Sequence, residues 1–365
     1  MAENDFVPFA TGRGAFVTRP DADEQRFGFN AGPSRVRKAN ALWRQGSFMA
    51  AALAQFVADA TGEDVRDNGD IEGFVAQLLR ALGARRTILT RDLDLYVSTS
   101  GNDDNPGTPE APFRTLQRAA DTALMNYELR LHSVNIHVET GAYDDGATIE
   151  GPITPDPWRF NFIGNEADPS RCVIAKSVGT GACFQAGNGA CYTVRGFTVQ
   201  NSTTAEYLGG SGLACWARGS LYAYNIHFGS CTNAQVDVWN ASLGVYNDIR
   251  IIDRAPYFLA AYAGANVEVQ GGSLIFLGSP AIPVFVAASG ISRVWIAPTA
   301  VGGAPAEGTI PVRVSQNSIV SSSMAIPGTG EIEIESGGLY FGPDTPVADP
   351  GVGLISPAIA NRGLW

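Results

Sequence analysis

Paired turn residues recur through the middle of this chain at Asn188-Gly189, Arg218-Gly219, Asn240-Ala241, Ala263-Gly264, Ser289-Gly290 and Gln316-Asn317. Their second members lie 30, 22, 23, 26 and 27 residues apart. After most of these turns comes a short alternating stretch (ACYTV, SLYAY, SLGVY, NVEVQ), then a second one: FTV at 197, IHF at 226, IRI at 249 and LIF at 274. A repeat of about 25 residues with two or three short strands per turn is the mark of a solenoid of parallel strands, because one rung cannot bury its apolar face alone and must stack on the next. Propeller blades need four strands in about 40–45 residues, which this spacing does not supply. Period-2 alternation predicts that Phe197, Val199, Ile226, Phe228, Ile249, Ile251, Leu274 and Phe276 point into one interior. Asn225 and Asn247 hold matching places in adjacent rungs, where stacked amides at a bend would account for them. A solenoid end must also be covered, or its open strand edge templates aggregation. Leu116, Ala120, Ala123 and Leu124 share one helical face just ahead of the first rung and are the expected N-terminal cap.

Composition agrees with a mainly β chain. Its 365 residues hold 42 Gly and 21 Pro, with only 17% charged residues. The formal charge is −11, and residues 1–90 carry equal numbers of acids and bases, so the whole deficit follows Thr90. Such a balance argues against nucleic acid, whose binding needs clustered cations. No apolar run of membrane-spanning length occurs, so no membrane insertion is expected, and the first residues show no secretory signal. The five cysteines (172, 183, 191, 215, 231) form no C-x-x-C pair, and there are three histidines; they read as small buried apolar residues, with no metal and no cofactor expected. The segment Gly101–Thr108 is rich in oxygen ligands but lacks the full calcium-loop pattern, and reads as a turn cluster. Glu331, Glu333 and Glu335 alternate with Ile332 and Ile334 as the solvated face of one strand.

Residues 1–33 read as an extended arm, and residues 34–90 as a helical head. Its first helix starts near Ser34, and Ala39, Leu42, Gly46, Met49, Leu53, Phe56 and Ala60 alternate in spacings of 3 and 4. That seam suits either a short self-associating bundle or an amphipathic helix packed on its own domain. A second helix follows Asp70, with Ile71, Val75, Leu78 and Leu82 on one face and Gly83 as its stop. The expected division continues with a linker and cap over 91–128, the solenoid body over 129–320 and a short β/irregular segment over 321–365.

Two stretches carry a resemblance. LYVSTSGNDDNPGTPEAPFRTLQRAADTAL (95–124) resembles the opening segment of right-handed parallel β-helix proteins of the pectate-lyase-like group in bacteriophage tails. FNAGPSRVRKANALWRQGSFMAAALAQFVADATGEDVRDNGDIEGFVAQLL (29–79) resembles the head that precedes such β-helices in phage tail fibres and tailspikes. The resemblance implies a virion protein made in the host cytoplasm. It also implies a homotrimer, bound to other tail proteins through residues 1–90 and to a host-surface glycan through its body. The short segment after 320 departs from the large C-terminal ends of many tailspikes, which leaves room for a simpler fibre or one link in a longer assembly.

Three functions fit this chain: adhesion, glycan depolymerisation on the same body, and a purely structural tail role. For depolymerisation the candidates are Asp237, His227, Arg250 and Asp253; His227 and Arg250 lie 23 residues apart on equivalent strands and should be neighbours. Paired carboxylates serve glycoside hydrolysis, and a base with a nearby cation serves a lyase. The competing account is that every rung exposes some polar residues. For binding, Tyr192, Trp216, Tyr222, Tyr224, Trp239 and Tyr246 are read as outward aromatics suited to sugar stacking, or equally to a subunit interface.

Overall fold

Alternation along the repeat resolves into a three-faced parallel β-helix. The structure, a computed structural model, describes residues 35–83, 86–153, 156–204, 209–343 and 346–348. The arm over 1–33, the Ser34 cap, the side chains of Ala39 and Leu42, and residues 349–365 lie outside the described residues. The chain divides into one unit of residues 1–87 with 125–127 and another of 88–124 with 128–365.

In the first unit, α1 (Arg35–Thr61) and α2 (Ile71–Gly83) pack through small residues. Ala54, Val57, Ala58, Val65 and Ala81 are buried, with Phe56, Ala60, Phe74 and Leu78 against them. Asp70 caps α2, its Oδ1 accepting the Gly73 N–H at 2.9 Å. The expected faces shift. Met49 and Leu53 of the heptad seam are exposed, as are Ile71, Val75 and Leu82 of the second helix. α2 is apolar around much of its girth, and the close-packing alanines of α1 select the stripe of Phe74, Leu78 and Ala81 instead.

In the second unit, the chain winds as a right-handed parallel β-helix. The first face stacks Leu93–Val97, Val134–Val138, Phe160–Ile163, the leading halves of Cys191–Asn201, Ser220–Cys231 and Ser242–Ile251, then Asn266–Gln270, Arg293–Ala297, Ile319–Ser322 and Leu339–Phe341. The second face stacks Gly141–Tyr143, Cys172–Lys176, the trailing halves of the same three long strands, Ser273–Phe276 and Ala300–Gly302. Together with Pro346–Ala348, which pairs antiparallel with Leu339–Phe341, they make one fifteen-stranded sheet. The third face is an eight-stranded sheet running from Ala147–Glu150 through Phe184–Gly187, Leu213–Trp216, Ala234–Trp239, Tyr257–Tyr262, Val284–Ala288 and Ile310–Val314 to Glu333–Ile334.

The eight side chains assigned to the interior are all buried. Aromatic rings meet there, from different faces in Phe184 with Phe197 at 5.0 Å between ring centres and Phe228 with Phe258 at 5.8 Å, and from adjacent strands of the third face in Phe258 with Phe285 at 4.6 Å. The recurring turn pairs all fall at the corner between the third and first faces. There Asn188, Arg218, Asn240, Ala263, Gly290 and Gln316 have φ of 53°, 65°, 47°, 55°, 69° and 52°. Asn225 and Asn247 sit at the corner between the first and second faces with φ of 54° and 64°, a left-handed conformation that Asn tolerates well. Asn225 Oδ1 accepts the Asp248 N–H at 3.4 Å, so its amide serves the backbone of the next rung. At the equivalent corner Gly196 has φ of 76°, and a Cβ there would stand 2.5 Å from Glu166 N. All five cysteines are free and buried.

The cap helix α3 (Leu116–Asn126) buries Leu116, Ala119, Ala120 and Ala123. The turn over 101–108 supports it: Asp103 Oδ1 accepts the N–H groups of Arg114 and Thr115, both at 2.9 Å. Gln117 closes the open edge of the third face. Its Oε1 accepts the Thr148 N–H at 2.8 Å, and its Nε2 donates to the Thr148 carbonyl at 3.1 Å, as a neighbouring strand would do.

Candidate functional site

Parallel register places one outward residue of each third-face strand in a column: Thr148, Gln185, Ala214, Asp237, Ala260, Ala287 and Arg313. Asp237 thus stands between two alanines, and the missing side-chain volume opens a groove of about 920 Å³. Two residues along each strand, a second column holds Glu150, Gly187, Trp216, Trp239 and Tyr262. Trp239 and Tyr262 approach to 4.7 Å between ring centres. Gly187 is required there by close approach, since a Cβ would meet Trp216 Nε1 at 2.2 Å. Asn233 and Tyr257 complete the walls.

The Asp237 carboxylate is held from three sides. Trp239 Nε1 donates to Oδ1 at 3.0 Å, while Asn233 Nδ2 and Ser211 Oγ donate to Oδ2 at 2.8 and 3.4 Å. Burial nonetheless outweighs these donors and pushes its pKa up to about 6. A carboxyl that changes charge near neutral pH, beside flat aromatic rings, can bind sugar hydroxyls or exchange a proton with a bound glycan. Burial also lifts the Tyr262 phenol to about 12, so it remains a neutral donor and acceptor.

The remaining candidates lie on other faces. Tyr222, Tyr224 and Tyr246 stack on the outside of the first face: Tyr224 lies 5.0 Å from Tyr246 and 5.4 Å from Trp158, and Tyr222 lies 6.3 Å from Tyr246. Tyr246 donates to Glu268 Oε2 at 3.2 Å, and Arg195 lies over the Trp158 ring at 5.8 Å. Tyr192 is a correction. It shares the phase of Val194 and the interior column of Leu221 and Leu243, and it is fully buried against Phe162. His227 and Arg250 are register neighbours on the second face. Burial, then the Arg250 charge, lowers His227 to about 4. Asp253 lies beyond them, exposed, its Oδ1 accepting the Arg254 N–H at 2.7 Å. Asp237 stands on the third face, so these four residues do not form one site.

Asp237, Trp216 and Trp239 stand out in the sequence, whereas their companions Asn233, Gln185, Glu150, Tyr257 and Tyr262 do not. For Tyr262 a signal existed: Trp216, Trp239 and Tyr262 are spaced by 23 residues, one rung each. Among the described residues, no group of three or more His, Cys, Asp or Glu is placed to hold a metal, and no helix is long and apolar enough to cross a membrane.

No family model matches this chain, and no curated protein matches it. Among solved structures it is similar to the pectin methylesterase PemA from Erwinia chrysanthemi, at 12% identity over 65% of this chain and 80% of that one, with a TM-score of 0.39. It is similar also to the pectin methylesterase from Aspergillus niger, at 14% identity over 71% and 86%, TM-score 0.43. A third similar structure is a rhamnogalacturonan lyase, at 12% identity over 63% and 68%, TM-score 0.28.

Proposed function

We propose that this chain is a glycan-binding component of a bacteriophage tail fibre or tailspike, with the third-face groove as its glycan site. The single observation behind the binding role is the wall of Trp216, Trp239 and Tyr262 beside Asp237, Asn233 and Gln185, which pairs flat apolar surface with hydrogen-bonding groups as sugars require. The tail assignment rests on the resemblance of residues 29–79 and 95–124. In this reading the arm and head (residues 1–90) join other tail proteins, the assembly is a homotrimer on the virion, and the body meets the host surface. The exposed Phe48, Met49, Leu53, Ile71, Val75, Leu79 and Leu82 supply apolar surface for that association. Light scattering on the full chain tests it: a mass three times 38.5 kDa supports the appendage, and a monomer counts against it. Trp239→Ala is expected to abolish adsorption to the host, and unchanged adsorption would remove the groove from the reading.

A second reading, glycan cleavage, is favoured by the Asp237 carboxyl, whose pKa near 6 suits a general acid. Release of reducing ends from host polysaccharide, lost in Asp237→Asn, would establish it. Release unchanged in that variant would clear Asp237.

A further inference from the structure

The charge of the groove narrows the class of glycan it accepts, an inference that rests on the glycan-binding reading above. Its described lining contains two acids, Asp237 and Glu150, and no Lys, Arg or His. The cation of the same column, Arg313, lies three strands from Asp237 and is already ion-paired with Glu333. The groups that do reach the acids are neutral donors: the Trp239 indole, the Asn233 amide and the Ser211 hydroxyl on Asp237, and the Asn188 amide on Glu150 at 3.3 Å. Beyond the groove, the whole formal deficit of 11 charges lies after Thr90. An acidic sugar would therefore bring its carboxylate beside like charges with no cation in the lining to offset them, and at Asp237 burial weakens solvent screening. Hydroxyls, acetamido groups and ammonium groups meet no such opposition, and the aromatic walls stack on ring faces of any charge.

We infer that the groove selects non-anionic glycans, neutral or amino-sugar chains, and that Asp237 with Glu150 excludes uronic acids and other acidic sugars. Specificity of this kind comes from repulsion of the wrong ligand as much as from attraction of the right one.

The test uses the full chain on an array of bacterial surface oligosaccharides. Chitotetraose, its de-N-acetylated tetramer and tetragalacturonate are added in solution as neutral, cationic and anionic probes, and binding is read by tryptophan fluorescence. The glycans that bind should be non-anionic, with the acidic members at least about tenfold weaker at low salt. Added salt should narrow that gap by screening. Glu150→Gln should raise the retention of acidic glycans several-fold relative to that of neutral ones. Acidic glycans binding wild type as tightly as neutral ones, through Trp239, would overturn the inference and leave the glycan site standing. If nothing on the array binds and Trp239→Ala leaves host adsorption unchanged, the glycan reading falls and this inference falls with it.

Discussion

Asp237→Asn is the perturbation whose consequence can be worked furthest. In the folded chain burial raises this carboxyl from 3.8 to about 6. A shift of about two units, at about 1.4 kcal/mol each, makes the ionised folded state about 3 kcal/mol less favourable than the same charge on the unfolded chain. The folded pKa is the higher one, so the contribution to stability is complete below about 3.8. It erodes as pH rises and is gone above about 6. Asp145, also lifted to about 6 by burial, has the same sign, so the slope of the wild type alone mixes the two. Subtracting the Asn variant isolates Asp237. Urea unfolding followed by circular dichroism between pH 4 and 7 should show wild type losing about 2.5 kcal/mol relative to the variant across that window. Three hydrogen bonds can persist around an Asn side chain: the Trp239 indole still donates to its oxygen, while a turned Asn233 amide and the Ser211 hydroxyl accept from its nitrogen. A difference that stays flat with pH, or that inflects near 4, would refute the argument that burial dominates at this carboxyl.

Three other outcomes are expected. Gly187→Ala should leave the fold intact but displace the Trp216 ring, since the new Cβ would lie 2.2 Å from Trp216 Nε1, and under the proposed function should weaken glycan binding about tenfold or more by titration calorimetry. Phe228→Ala should cost about 3–5 kcal/mol in denaturant unfolding, as a fully buried ring stacked edge-on to Phe258 is removed. His227, lowered to about 4, has the opposite sign to Asp237: its share of stability is complete above about 6.5 and is lost as pH falls toward 4. Its imidazole proton resonances should therefore hold their neutral positions down to about pH 5, and a midpoint near 6.5 would contradict the packing around it.

The interior was legible because strand alternation reports directly on burial: Phe197, Ile226, Phe228 and Ile249 announce their face by phase alone. The corners were legible because left-handed backbone favours Asn and Gly, as at Asn188-Gly189 and Asn247. Tyr192 shows the limit of residue type as a guide. Its phase is that of Val194 and the interior, although its residue type groups it with the outward aromatics. The groove was only partly visible, because it depends on what lies in adjacent rungs. Nothing at Asp237 itself says that Ala214 and Ala260 flank it; that follows once the register joining residues 214, 237 and 260 is known. The head was least legible, since α2 is apolar on more than one side and the close fit of α1 alanines decides which side is used.

The Gln117 amide also acts as a ruler for the fold. It grips both polar groups of a single residue, Thr148, and so fixes which position of the first third-face strand stands opposite the cap. Parallel pairing then hands that alignment on, from Thr148 to Gln185, to Ala214, and to Asp237. A slip of one residue anywhere along this relay would turn Asp237 into the apolar interior and bring Val236 or Val238 out in its place. The position of the groove acid is thus measured out from a side chain on the cap helix, 120 residues earlier in the chain.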